Sequence, residues 1–238
     1  FIVEGGEGPF SVDGPFEADN RFILAHGVDA HGEVDRLYLN AWVDTWAPIG
    51  RTNFDAGPRR GERALVGRVF TEHVFTRPFA PAGERKVTRL DYPDLPAVPP
   101  TRYSPPPVAS MLELPRGAMP IDDDLHVDTT PIVFGLRHTD SNQHVNSLVY
   151  PQLFEDTAIR RLSSLGLEPR VLARSLSVGY RKPCFAGQTT HVALALYRDG
   201  STLGAYGGFY DRGDLERMGV TQARPHAFVR MTFSPAAR

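Results

Sequence analysis

Cysteine is nearly absent from this 238-residue chain. Cys184 stands alone, so no internal disulfide can form and the chain is compatible with a reducing compartment. Lysine is scarce as well: of the 26 Lys and Arg, only Lys86 and Lys182 are lysines, a bias expected of a GC-rich genome rather than of a binding surface. There is no block of like charge, and a net charge of -2 argues against a general binder of nucleic acid or membrane surfaces. No apolar run approaches the roughly 18 residues a membrane span requires, and the start lacks the basic-then-apolar pattern of a signal peptide. A cytoplasmic location is therefore the expectation. Neither a glycine-rich phosphate loop nor His and Cys at metal-ligand spacing is present, so no cofactor and no metal is expected.

What is present suffices for a real core. Hydrophobic residues make up 41% of the chain, and the length allows one large domain or two of about 110 residues. Pro93, Pro96, Pro99, Pro100, Pro105, Pro106 and Pro107 crowd one stretch too tightly for a helix or central strand. This stretch reads as part of a connector, 93–125, between a first repeat at 1–92 and a second at 126–238.

The second repeat is the more legible. Residues 129–137 read as a strand, 140–150 as a polar turn and 151–165 as a helix, with Pro151 suited to the first helical position and Gly166 to the stop. Phe154, Ala158, Leu162 and Leu165 fall on one face of that helix, beside Leu153. Four strands are then predicted over 172–182, 188–199, 201–211 and 225–233, with Asp199-Gly200 as a hairpin signal. Strand, helix and an antiparallel run of strands make an α+β layout in which a curved sheet wraps one long helix, the hot-dog order.

Two ungapped matches extend the pattern to the first half. Residues 28–35 align with 139–146 at an offset of 111, and Val74-Phe75-Thr76-Arg77 with Ala82-Gly83 align with Val178-Gly179-Tyr180-Arg181 and Ala186-Gly187 at an offset of 104. Under this alignment 34–46 is a first central helix with a stripe of Leu37, Tyr38, Ala41, Trp42 and Thr45, and the fold is a tandem (double) hot-dog whose first repeat is degenerate and truncated.

Chemistry concentrates in Asp140-Ser141-Asn142-Gln143-His144. Cleaving a thioester requires N–H donors that polarise its carbonyl, a held water and a group that takes its proton. The free N–H groups at a helix start offer the donors, near Tyr150 and Leu153. Asn142 can orient water or carbonyl, His144 can act as base or acid, and Asp140 can hold either in its working orientation. Asp29, His31 and Glu33, at the matching places of the first half, read as a worn remnant of the site or as capping groups.

The stretch Asp140-Ser141-Asn142-Gln143-His144-Val145-Asn146 through Tyr150 resembles the D-x-N-x-H-V-N-N-x-x-Y motif of the double hot-dog acyl-ACP thioesterases of plants and bacteria. Tyr150-Pro151-Gln152-Leu153-Phe154-Glu155 looks like the helix start of single hot-dog acyl-CoA thioesterases, and Tyr180-Arg181-Lys182-Pro183-Cys184 resembles the Y-R-R-E-C strand of the plant enzymes. The resemblance implies hydrolysis of an acyl-ACP or acyl-CoA thioester, in fatty-acid or polyketide metabolism, with Asp140, Asn142 and His144 catalytic and Asn146, Tyr150 and Leu153 binding substrate.

One departure matters: Pro183 stands where the plant enzymes carry a glutamate proposed as base. His144 is then the first candidate base and Glu155 the second. Cys184 is a less favoured nucleophile, since a lone cysteine is usually a small buried hydrophobe. The competing functions are a hot-dog dehydratase or hydratase, disfavoured by the short Asn142-to-His144 gap, and an inactive module that binds acyl thioesters. An acyl carrier protein is the implied partner, and edge-to-edge pairing leaves both an internal pseudo-dimer and a homodimer open.

Overall fold

Strand-forming residues recur through both halves of the chain, and both halves are built around antiparallel strands. The computed structural model describes residues 1–6, 8–11, 13–50, 57–77 and 80–235, and the chain divides into two units, Phe1–Pro106 and Pro107–Arg238. The division falls inside the proline-rich stretch. Among the described residues, no helix is long and apolar enough to cross a membrane.

The first unit is a sheet of β1 (Ile2–Gly5), β2 (Glu17–Val28), β3 (Val34–Pro48), β4 (Arg63–Val74) and β5 (Thr101–Arg102), in the order β5-β2-β3-β4-β1. Only the β2–β5 pair is parallel. The expected first central helix over 34–46 is instead the middle strand of this sheet, and no α-helix occurs among the described residues of the unit. A central helix in each repeat is thereby corrected. The physical cause lies in the sequence itself: Val34, Tyr38, Trp42, Val43, Thr45 and Trp46 are β-branched or aromatic. Leu37, Leu39, Ala41 and Val43 also alternate with Tyr38, Asn40, Trp42 and Asp44, so the period-two pattern competes with the helical stripe and wins once β2 and β4 pair on both sides.

The second unit opens with β6 (Met119–Pro120), β7 (His126–Val127) and β8 (Ile132–Val133), three two-residue strands that each pair with β10. The long strand expected over 129–137 is thus reduced to β8, because Pro131 and Gly135 interrupt it and 136–138 turn into a 3-10 segment. Then come α1 (Val149–Ser164), β9 (Val171–Tyr180), β10 (Thr189–Asp199), β11 (Thr202–Asp211), α2 (Arg212–Met218) and β12 (Ala227–Pro235), the long strands lying in the order β9-β12-β11-β10. The hairpin pairs Asp199 with Thr202, so its loop is Gly200-Ser201, one residue on from the expected dipeptide. Helix α2 was not foreseen; Asp211 caps it by accepting the Gly213 N–H at 2.8 Å.

Both faces of this second sheet are covered. On one, α1 presents Tyr150, Phe154, Ala158 and Leu162, all buried, and Tyr150 meets Phe209 of β11 edge-on at 5.1 Å. On the other, Ala118, Leu125, Val127, Leu215 and Val220 pack over Ala193, Tyr197, Tyr206 and Tyr210. Leu165, expected on the helix stripe, lies exposed beyond its end. Strand order is shared between the units: β1-β4-β3-β2 in the first follows the same sequence-to-space rule as β9-β12-β11-β10 in the second.

Because Phe154 is fully buried between α1 and the sheet, Phe154→Ala is expected to cost about 3–5 kcal/mol in chemical denaturation. A loss below about 1 kcal/mol would mean the helix is not packed as described.

Candidate active site

Asp140, Asn142 and His144 lie in one tight turn, and the carboxylate of Asp140 makes it. Its Oδ1 accepts the backbone N–H of Asn142 at 2.9 Å and of His144 at 3.0 Å, while the Asp140 N–H donates to the His144 carbonyl at 2.9 Å. Asp140 therefore holds the backbone of the other two residues, and not their side chains as the sequence suggested. Asn142 is left exposed and His144 half-exposed.

The same turn occurs at the matching place in the first unit. Asp29 Oδ1 accepts the N–H of His31 at 2.8 Å and of Glu33 at 3.1 Å, and the Asp29 N–H donates to the Glu33 carbonyl at 2.9 Å. There the turn closes the β2–β3 hairpin. The offset of 111 thus records a shared turn, with Asp29 in a capping role, rather than a shared helix start.

Two other stretches clamp the turn of the second unit. The Val145 N–H donates to the Cys184 carbonyl at 2.9 Å, the Ala186 N–H to the Gln143 carbonyl at 3.3 Å, and the Asn146 N–H to the His138 carbonyl at 2.8 Å. His144 also bridges to Phe185, their rings 5.0 Å apart. This clamp of 184–188 and 134–138 was missed from the sequence; its one local signal is the turn dipeptide Ala186-Gly187, with Gly187 at φ 81°.

The helix start is organised by Asn146. The Leu148 N–H donates to Asn146 Oδ1 at 3.0 Å and the Val149 N–H to the Asn146 carbonyl at 3.0 Å. Asn146, expected to bind substrate, has its side chain engaged in the fold. Since α1 starts at Val149, two residues before Pro151, the Leu153 N–H already falls within the helical ladder. Pro151 has no N–H. Among the described residues the Tyr150 N–H meets no carbonyl of the preceding loop, and it sits at the positive end of a 16-residue helix.

The Tyr150 side chain points inward. Its hydroxyl accepts the Cys184 N–H at 3.2 Å, and burial, with the Cys184 thiol beside it, pushes the phenol well above its ordinary value. Cys184 is itself 0% exposed and burial raises its thiol, so it is held as a neutral thiol, the opposite of an activated nucleophile. Glu155, half-buried on α1, has its carboxyl raised by burial first and by Asp156 second. Pro183 is exposed.

The space between helix and sheet is filled by Phe154, Ala158 and Leu162, each 0% exposed. A cavity of about 220 Å³ beside α1 is lined mostly by polar residues, including Thr157, Arg160, Arg161 and Ser164. Apolar side chains do lie open at the rim of the turn: Leu136 and Leu148 are 74% and 57% exposed, and Phe185 and Tyr180 are exposed as well, the latter donating its hydroxyl to the Ser147 carbonyl at 2.9 Å. No group of three or more His, Cys, Asp or Glu that could hold a metal ion occurs among the described residues.

No family model matches the chain, and no curated protein matches it in sequence. Among solved structures, it is similar over nearly its whole length to two acyl-ACP thioesterases. One is the 12:0-ACP thioesterase from Umbellularia californica, at 13% identity over 99% of this chain and 73% of that one, with a TM-score of 0.47. The other, from Bacteroides thetaiotaomicron, shows 12% identity over 98% and 74%, with a TM-score of 0.46. A hypothetical protein from Aquifex aeolicus matches 47% of this chain over all of its own length, at 17% identity and a TM-score of 0.37. Likeness at this level leaves function to the geometry of the site.

Glu155 supplies a pH-dependent test. Its folded-state pKa is raised, so its contribution to stability is present at low pH and is lost as pH rises through the folded value. Glu155→Gln should therefore melt above wild type at neutral pH, the two curves converging below the ordinary carboxylate range. A melting difference that does not change with pH would contradict the half-buried placement.

Proposed function

We propose that the chain is a tandem hot-dog protein that hydrolyses an acyl thioester, with one active centre, in the second unit. The shared strand order supports the tandem architecture, and the single helix-on-sheet unit supports one centre rather than two. The observation that carries the chemistry is the pairing, in one short segment, of exposed Asn142 and half-exposed His144 on a locked turn with the unaccepted Tyr150 N–H at the following helix start.

In this mechanism the thioester carbonyl points its oxygen at the Tyr150 N–H, where the helix dipole favours the negative charge of the tetrahedral intermediate. Asn142 orients the attacking water. His144 removes the water's proton as the C–O bond forms and returns it to the sulfur as the C–S bond breaks, releasing a free thiol and a carboxylic acid. Glu155, whose carboxyl burial raises, is the second candidate for the proton transfer. Cys184 takes no part. The acyl chain lies across the rim of Leu136, Leu148, Tyr180 and Phe185, and its carrier is an acyl carrier protein or coenzyme A, in fatty-acid or polyketide-type metabolism.

Thiol release from a panel of acyl-CoA and acyl-ACP substrates tests this. His144→Ala and Asn142→Ala are each expected to lower turnover by about 100-fold or more with the fold intact, whereas Cys184→Ala keeps most of it. Water loss with the thioester intact would identify a dehydratase, and binding without turnover an inert acyl-binding module. A loss at Cys184→Ala as large as at His144→Ala would move the nucleophile to the thiol.

A further inference from the structure

Gln143 is the one non-glycine residue with positive φ, at 61°, among the described residues, and it lies between the two residues assigned to chemistry. Left-handed backbone is strained for any residue with a Cβ. The turn of the first unit offers an internal control: it has the same carboxylate, the same two accepted N–H groups and the same closing bond, and at the equivalent place it carries Gly32, at φ 84°. The turn itself therefore calls for glycine. Nothing in the fold asks for a glutamine side chain here, since the Gln143 side chain is exposed and only its backbone is engaged, the N–H donating to the Asp140 carbonyl at 3.0 Å and the carbonyl accepting the Ala186 N–H.

We infer that Gln143 is retained for its carboxamide, which recognises an amide of the substrate's pantetheine arm; this rests on thioester hydrolysis at the same site. A primary carboxamide donates and accepts at once and so complements a secondary amide, the group that recurs in pantetheine whether the carrier is coenzyme A or a carrier protein. The strained backbone places that carboxamide on the exposed side of the turn, between Asn142 and His144. Gln143 is thus a substrate-recognition residue that takes no proton and bonds to no reacting atom.

The test compares wild type, Gln143→Gly and Gln143→Ala on two thioesters of the same acyl chain, one to pantetheine and one to ethanethiol, which has no amide. Both variants should raise KM for the pantetheine thioester by about three- to tenfold, the range of one neutral hydrogen bond, leaving kcat and the ethanethiol thioester unchanged. Gln143→Gly should unfold no more easily than wild type. Equal effects on the two substrates, or none, would overturn the assignment, as would an effect of Ala that Gly does not share, which would report backbone strain alone. If wild type cleaves neither thioester, hydrolysis itself fails, and calorimetric titration with free pantetheine still decides the matter. Binding weakened in both variants supports the role of Gln143; equal binding, or none to wild type, removes it.

Discussion

The carboxylate of Asp140 accepts two backbone N–H groups, those of Asn142 and His144, and the shape of the candidate site follows from that arrangement. A carboxylate acceptor makes these bonds charge-assisted and stronger than neutral ones. With the turn closed, the Asn142 and His144 side chains project from a fixed backbone, Val145 reaches Cys184, and Asn146 is delivered to the start of α1. The cluster of polar residues is thus a division of labour. Asp140 and Asn146 build the backbone, Tyr150 and Cys184 tie the helix start to the 184–188 clamp, and Asn142, Gln143 and His144 remain open to a ligand.

That division explains how much was legible in the sequence. Asp140, Asn142 and His144 could be found because a turn of this kind needs its residues at fixed spacing. Their roles could not, since spacing does not say whether a carboxylate will meet a side chain or an N–H. Asn146 and Tyr150 read as ligand contacts for the same reason, and only the helix start at Val149 shows Asn146 engaged at its cap. The clamp that 134–138 and 184–188 place on the turn escaped notice because a long-range backbone clamp leaves almost no mark on sequence.

The fold divides in the same way. Strands β9 to β12 and α1 were readable from alternation, turn glycines and one apolar helical stripe, because each signal is local and each face has a fixed neighbour. Strand β3 was not, because the helical stripe of Leu37, Tyr38, Ala41, Trp42 and Thr45 overlaps the alternating set Leu37, Leu39, Ala41 and Val43, and pairing with β2 and β4 decides between them. The repeat is the instructive case. Its sequence signal at offset 111 is a turn, whereas the architectural likeness lies in strand order, which joins β1 to β4 and β9 to β12 across long stretches of chain and cannot be read from a local match.

The account stands on the Asp140 carboxylate organising the turn without itself touching substrate. Amide hydrogen exchange in wild type and Asp140→Ala, with thiol release measured on the same samples, tests this most directly. The account predicts that the Asn142 and His144 amides lose protection and turnover falls, while α1 and β9 to β12 keep theirs. Unchanged protection at those two amides would contradict it, as would full turnover with both amides exposed.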